Sequence, residues 1–471
     1  WNPLGLMQVA AIAKQRGDKT YLAVLPNDNI LDKIEKIKPD VVAYGSSSHE
    51  HKDYLMINQK VKSKYKHIFT IMGGSHPTFF PEVINEGNLD AVCIGEGELA
   101  FAELLKRLEK GEDVSSLKNI VVKGGKFNGL YPLIQDLDSL PFPDRELFYE
   151  NSRILGKENS PAMNFITSRG CPFNCTYCFN HALRDMYHGQ KLIRRRSVDN
   201  VLQEVEETKD KFNLKFVKFV DDIFITKSNY DWLYEFCGKY PKKVGLPFLV
   251  YTRFDMMTPD IARLLKNAGC TTVFMSIESP NQKIRENILK RRMSDEQIIQ
   301  GAKYCREEGI SIIAYTMLGL PTSTLKDDIN AVDFSIKAGV NVPEFPIFQP
   351  LQKTELRNFS LERVFLDECL IRSHGGFNDP SVLNCFTQKE KNAQRNISAL
   401  GSIVVRHPFL RNLVMNYLIY LPHNKLFNKI YAIDKILTYS SKVYKTKYSL
   451  RERFDIIKRA LRLEKIRWRA G

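Results

Sequence analysis

Between residues 163 and 356 short apolar runs alternate with helical stretches, and this rhythm restricts the fold more than any other feature of the chain. Strands are predicted at 163–167, 214–220, 248–252, 271–277, 311–317 and 344–348. Helices fit between them, at 198–211, 260–268, 295–308 and 326–338. Six strands with intervening helices predict a partial (β/α)6, TIM-like barrel whose functional residues sit at the strand carboxyl ends. Residues 1–105 repeat the rhythm, with apolar runs at 21–25, 41–44, 68–72 and 91–94 and helical patterns at 30–37 and 54–64. That predicts a doubly wound, Rossmann-like parallel sheet, a fold that binds ligands beyond its strand carboxyl ends. The layout read from these patterns is a front domain at 1–125, a linker at 126–160, the barrel at 161–356 and a helical extension at 357–471.

A chain of 471 residues suits two or three cores, and 43% hydrophobic content is enough to fill them. No run of 18 or so unbroken apolar residues predicts a membrane span, and the first residues lack a signal-peptide pattern. Pro3-Leu4-Gly5-Leu6 begins abruptly, so preceding sequence is expected to be missing. The nine cysteines are odd in number and scattered apart from one triplet. A disulfide framework is not expected, and a cytoplasmic location is. Of the net charge of +15, almost all lies in residues 386–471, which hold 19 Lys/Arg against 5 Asp/Glu.

The triplet is Cys171-Pro-Phe-Asn-Cys175-Thr-Tyr-Cys178, directly after the first barrel strand and the turn Ser168-Arg169-Gly170. Three thiolates this close can hold three irons of a [4Fe–4S] cubane and leave the fourth iron open. The rival is a zinc site completed by His181, although paired CxxC or clear His spacing is absent. Coincidental clustering is the third reading.

CxxxCxxC with Tyr177 before the last cysteine resembles the radical S-adenosylmethionine superfamily. In that family the open iron binds the methionine end of S-adenosylmethionine, and one-electron cleavage gives a 5′-deoxyadenosyl radical. The resemblance implies Cys171, Cys175 and Cys178 as cluster ligands and Tyr177 at the cofactor. It runs over 163–356 through Asp221-Asp222, Tyr251-Thr252-Arg253, Ser276-Ile277-Glu278-Ser279 and Leu318-Gly319-Leu320-Pro321. It implies Asp222 for the cofactor ammonium, Arg253 for its carboxylate and Glu278 for its adenosyl moiety. Two segments depart from the family pattern: Thr322-Ser323-Thr324 stands where Gly-Glu-Thr is usual, and 350–356 differs in the middle from the usual PYPGTEL.

The front domain resembles the cobalamin-binding domain fused ahead of many radical enzymes. The likeness lies in Pro3-Leu4-Gly5-Leu6, Lys38-Pro39-Asp40-Val41-Val42, Met72-Gly73-Gly74-Ser75-His76-Pro77-Thr78 and Ile94-Gly95-Glu96-Gly97-Glu98. It implies that Gly5, Ser46, Gly73, Gly74, Thr78, Gly95 and Glu96 contact cobalamin. Adjacent glycines after a strand also permit close backbone approach to a bulky ligand. His76 is not expected on the cobalt, because the DxHxxG motif is absent; a turn histidine is the expectation.

The basic region admits three readings: a helical cap, a membrane or lipid-like-substrate surface, or an anion site, with no RNA-binding motif to favour nucleic acid. The whole chain then reads as a cobalamin-dependent radical enzyme that methylates an unactivated carbon. It would take a small-molecule or lipid-like substrate and an external reductant of flavodoxin or ferredoxin type. Radical cyclisation or rearrangement is the alternative. A methylthiotransferase would need three more cysteines in front, where only Cys93 stands. A non-enzymatic cobalamin sensor would not need the triplet.

Overall fold

The structure is a computed structural model that describes residues 3–25, 28–48, 50–151, 162–366 and 379–444. It divides into two compact units. The first comprises Trp1–Pro161, Leu183–Arg196 and Glu207–Leu214, and the second comprises the remainder.

The first unit is built on four strands, β1 (Val41–Gly45), β2 (Phe69–Gly73), β3 (Ala91–Cys93) and β4 (Ile120–Val122), lying side by side in that order. The first three are parallel and β4 is antiparallel to β3. Alternation along the strands splits the core between two faces. Tyr44, Met72 and Val92 pack with Leu55 of the helix His51–Lys64. Ile71, Ala91 and Cys93 pack with Ala100 and Leu104 of the helix Glu98–Lys110. Helices therefore cover both faces, as a parallel βα sheet requires.

The run at 21–25 is not a strand. Its backbone is tied by side chains instead: the Val24 N–H donates to the Asp28 carboxylate (2.7 Å) and Lys33 donates to the Leu22 carbonyl (2.8 Å). β4, unforeseen, is a three-residue strand just before the Gly124-Gly125 turn.

The second unit holds six parallel strands in chain order: β5 (Ala162–Phe165), β6 (Phe216–Phe219), β7 (Phe248–Thr252), β8 (Cys270–Met275), β9 (Ser311–Tyr315) and β10 (Val342–Glu344). This is the expected partial barrel. β10 begins two residues before its predicted start. Pro343 can lie in it because β10 is the edge strand and needs no further ladder donor. One face of the sheet carries an aromatic cluster of Phe219, Phe236, Tyr240 and Phe248. The other carries Phe216, Tyr251, Phe274 and Tyr315, packed with Tyr439, Val443 and Tyr444 from the C-terminal region. Cys237, Cys270 and Cys305 are buried and form no disulfide.

The helix Gln388–Arg406 packs against Leu325–Ala338 through a core that includes Val332, Phe345, Ile397 and Val404. A buried carboxylate sits at this junction. Asp328 accepts from the Gly319 N–H and the Gln394 amide, both at 2.9 Å. Burial pushes it up to about 7. The folded chain therefore keeps this proton to about pH 7, while the unfolded chain releases it near pH 4. Its contribution to stability is full below pH ~4 and is lost as pH rises towards 7. Asp328→Asn is expected to flatten that slope, on the order of a few kcal/mol, in denaturant midpoints compared at pH 5 and pH 8.

Candidate functional site

The loop carrying the three cysteines is fastened at both ends. Asp221, just past β6, is buried, and its Oδ1 accepts four donors from the turn ahead of the loop. These are the Thr167 N–H (2.9 Å), Thr167 hydroxyl (2.8 Å), Ser168 N–H (2.5 Å) and Ser168 hydroxyl (2.7 Å). Further on, Thr176 donates its N–H to Leu289 O (3.2 Å) and its hydroxyl to Ile288 O (2.7 Å).

Cys175 is buried, and Cys171 and Cys178 are half-buried. The Phe173 and Asn180 N–H groups donate to the Cys171 and Cys178 sulfurs. Burial pushes the Cys171 thiol up to about 11 and the Cys178 thiol up to about 12, and the neighbouring cysteines and Asp222 add to both shifts. Bare thiolates at Cys171 and Cys178 are disfavoured at such a place, and a cationic iron–sulfur core would relieve both the burial and the repulsion. Among the described residues no three His, Cys, Asp or Glu side chains converge as ligands of one metal ion. In a cubane each thiolate takes a different iron, so the donor set fits that group.

The Asp pair divides its work. Asp221 points inward as the anchor just described, while Asp222 opens to solvent. Desolvation by the surrounding protein still holds its carboxyl above the usual range. The Asn180 side chain and the Gly170 N–H donate to it.

Arg253 is buried and committed. Its guanidinium makes two 2.8 Å bonds to Asp255 and lies over the ring of Phe173, 3.9 Å from the centroid. Glu278 is buried and holds a left-handed backbone (φ 70°), a strain of about 1–3 kcal/mol for a non-glycine residue. It accepts from the Tyr177 hydroxyl at 2.8 Å. Burial raises its carboxyl, and Arg291, 4.0 Å away, opposes that shift.

Arg291 is the residue that motif reading misses. Its buried guanidinium donates to the Tyr177 hydroxyl (3.3 Å) and the Ser276 carbonyl (2.8 Å), and stands 4.0 Å from the Cys175 sulfur. In the sequence it lies inside Lys290-Arg291-Arg292, which passes for a solvated basic run.

In the first unit the expected ligand residues gather at the carboxyl ends of β1, β2 and β3. Gly74 (φ 99°) packs so closely that a side-chain carbon there would lie 2.7 Å from the Ser46 carbonyl. Ser46 is buried, and its hydroxyl donates to Ser47 O (3.0 Å). Thr78 joins two loops, donating to Gly74 O (2.8 Å) and accepting from the Gly95 N–H (3.0 Å). Gly73 ends β2 and Gly5 lies in the first turn of the helix Leu4–Arg16, with open space around its α-carbon. Gly95 (φ 76°) leaves room only for the Tyr187 hydroxyl, which would clash with any side chain there. That hydroxyl accepts from the Glu96 N–H (3.2 Å), and the Glu96 carboxylate pairs bidentately with Arg194 (3.0 and 2.7 Å). Tyr187 and Arg194 had no motif to flag them. His76 lies buried in the short helix Ser75–Phe79 and not in the expected turn: its Nδ1 meets the Ser48 hydroxyl at 3.1 Å and its ring stacks on His51 at 3.8 Å. Gly74 and Gly95 are spent on packing these loops together, while Gly5 and Gly73 leave space that fits backbone approach by a large flat ligand such as cobalamin.

Comparison with known proteins bears on both units. The Radical SAM superfamily model matches residues 165–334, and the B12 binding domain model matches residues 1–105. The chain joins a B12-binding domain to a radical SAM domain. Its cofactors are the [4Fe–4S] cluster, S-adenosylmethionine and cobalamin.

The chain is 27% identical over 401 residues to an uncharacterized methyltransferase from Pyrococcus horikoshii, covering 82% of this chain and 84% of that one. It is 25% identical over 393 residues to the cytidylyl-2-hydroxyethylphosphonate methyltransferase of Streptomyces wedmorensis, covering 74% and 72%. Its fold matches the radical S-adenosylmethionine methyltransferase TsrM from Kitasatospora setae, solved with cobalamin and a [4Fe–4S] cluster. The TM-score is 0.65 at 12% identity, over 98% of this chain and 97% of that one.

Proposed function

We propose that this chain is a C-methyltransferase that acts on an unactivated carbon of a small-molecule substrate. The observation that carries this reading is the joining, in one chain, of a B12-binding domain to a barrel whose cysteine loop is built for a cubane. Methyltransferase relatives spanning most of the length support it.

Cys171, Cys175 and Cys178 would hold the cluster. When bound, the cofactors supply a one-electron cleavage that yields a carbon radical, and a carrier for the methyl group. The protein's own work is placement. Asp221 fixes the turn that delivers Cys171, and Arg253, locked by Asp255, braces Phe173 within the loop. Asp222, open to solvent, would offer its carboxylate to the cofactor ammonium. Tyr177 and Glu278, tied by their hydrogen bond, would meet the adenosyl moiety, and Arg291, 4.0 Å from the Cys175 sulfur, would offset thiolate charge there. In the first unit Gly5, Ser46, Gly73, Gly74, Thr78, Gly95 and Glu96 would form the cobalamin edge. A flavodoxin- or ferredoxin-type protein would supply electrons in a cytoplasmic setting, and a lipid-like substrate would suit the basic C-terminal region.

The test uses the full chain, purified anaerobically and loaded with cluster and cobalamin. With a strong reductant and methyl-labelled S-adenosylmethionine it should release 5′-deoxyadenosine and, with substrate from a cell extract, transfer label to carbon. Deoxyadenosine without label in any product would replace methylation by rearrangement. Absence of deoxyadenosine from chain carrying a full cluster would end the reading altogether.

A further inference from the structure

Sixteen large apolar side chains are exposed among the described residues, and nine of them fall between positions 409 and 437. Four lie on the helix Lys425–Thr438, at Leu426, Ile430, Ile433 and Leu437, and are exposed by 62, 37, 52 and 56%. Spacings of four, three and four residues put them on a single stripe of an α-helix. The opposite side of that helix is spent on the fold: Phe427 enters the core around Gln388–Arg406, and Tyr431 and Lys435 bind the Glu344 carboxylate at the end of β10. The stripe is therefore a second apolar face, on a helix already docked by its first. Phe409 and Tyr417, among the most exposed apolar residues of those described, lie in the segment just before it.

Charge selects the occupant. Lys425 and Lys429 are exposed on the stripe helix, and Lys442 follows it. The one acidic residue from 391 to 444 is Asp434, and Arg406 and Ser402 hold its carboxylate. Residues 445–471 are themselves strongly basic, so covering the stripe with that segment would set like charge against like. A surface that is apolar below and anionic above complements both features. We propose that the helix Lys425–Thr438 lies on an anionic bilayer surface, with Leu426, Ile430, Ile433 and Leu437 in the acyl boundary and the flanking lysines among the headgroups. This goes beyond the proposed chemistry and does not depend on it.

The full chain should be sedimented with phosphatidylglycerol-containing vesicles and with pure phosphatidylcholine vesicles. Binding at least tenfold stronger to the anionic vesicles is expected, weakening as salt rises. Leu426→Asp combined with Ile433→Asp should abolish it while leaving the far-ultraviolet dichroism and the elution volume unchanged. The exposed sites make misfolding a small risk, and Lys425→Glu with Lys429→Glu offers an independent variant that should weaken binding without touching the stripe. Equal binding by the aspartate variant overturns the proposal. So does a wild-type chain that ignores vesicles and elutes as a dimer, which would mark the stripe as a contact between copies. Anionic-vesicle binding that appears only after removal of 445–471 also overturns it, because that segment would then be the cover.

Discussion

Replacing Cys171, Cys175 and Cys178 together by Ala is expected to take bound iron from about four per chain to none, since each thiolate holds a separate iron. Release of deoxyadenosine should fall to background with it. The geometry gives reasons to expect loss of cofactor rather than loss of fold. The loop is held by contacts other than the sulfurs: Asp221 grips Thr167 and Ser168, Thr176 grips Leu289 and Ile288, and Phe173 lies beneath Arg253. The triple variant should therefore keep its elution volume and its dichroism. Metal analysis of anaerobically purified protein decides the matter, and zinc in place of iron in the wild-type chain would sink the assignment.

The second large effect belongs to Asp221, which touches no cofactor in this reading. Asp221→Ala would strip the acceptor from two backbone N–H groups and two hydroxyls, all inside the second unit. An unsatisfied buried donor costs about 1–3 kcal/mol, and relaxation recovers part of the sum. A loss of about 3–5 kcal/mol is expected, at the upper end for single substitutions. It should appear as a lower denaturant midpoint and as iron content well below that of the wild type. Asp221→Asn keeps one oxygen in place and should cost less, about 1–2 kcal/mol. If Asp221→Ala matched the wild type in both measurements, the turn would be held by something other than this carboxylate.

Much of the barrel was legible because its strands are apolar runs closed by turn residues and its helices keep their spacing. Val198–Lys211 and Phe248–Thr252 have the bounds the pattern assigns. Misreadings came where the signal is shared. The run at 21–25 is apolar enough for a strand, but side chains of Asp28 and Lys33 take its backbone groups. β4 is three residues beside a Gly-rich turn, too short for alternation to register. At the site, residues within a few positions of a motif were legible and long-range partners were not. Arg291 reaches Tyr177 across 114 positions, and Tyr187 reaches Glu96 across 91. The Asp221-Asp222 pair illustrates a finer limit. Motif likeness singled out Asp222, and only the packing shows that its neighbour carries the turn.

The division of the chain has a consequence for how such a protein can be taken apart. The backbone passes between the two units five times before residue 215, and Leu183–Arg196 and Glu207–Leu214 return to the first unit after the cysteine loop has been laid down in the second. A cut near residue 160 would strip the first unit of Tyr187 and Arg194, and with them the partners of Gly95 and Glu96. The two modules are therefore not interchangeable cassettes. Exchanging the front domain with that of a relative would require carrying the matching pieces of the 183–214 stretch along with it, and any coevolution between the modules should be sought in that stretch first.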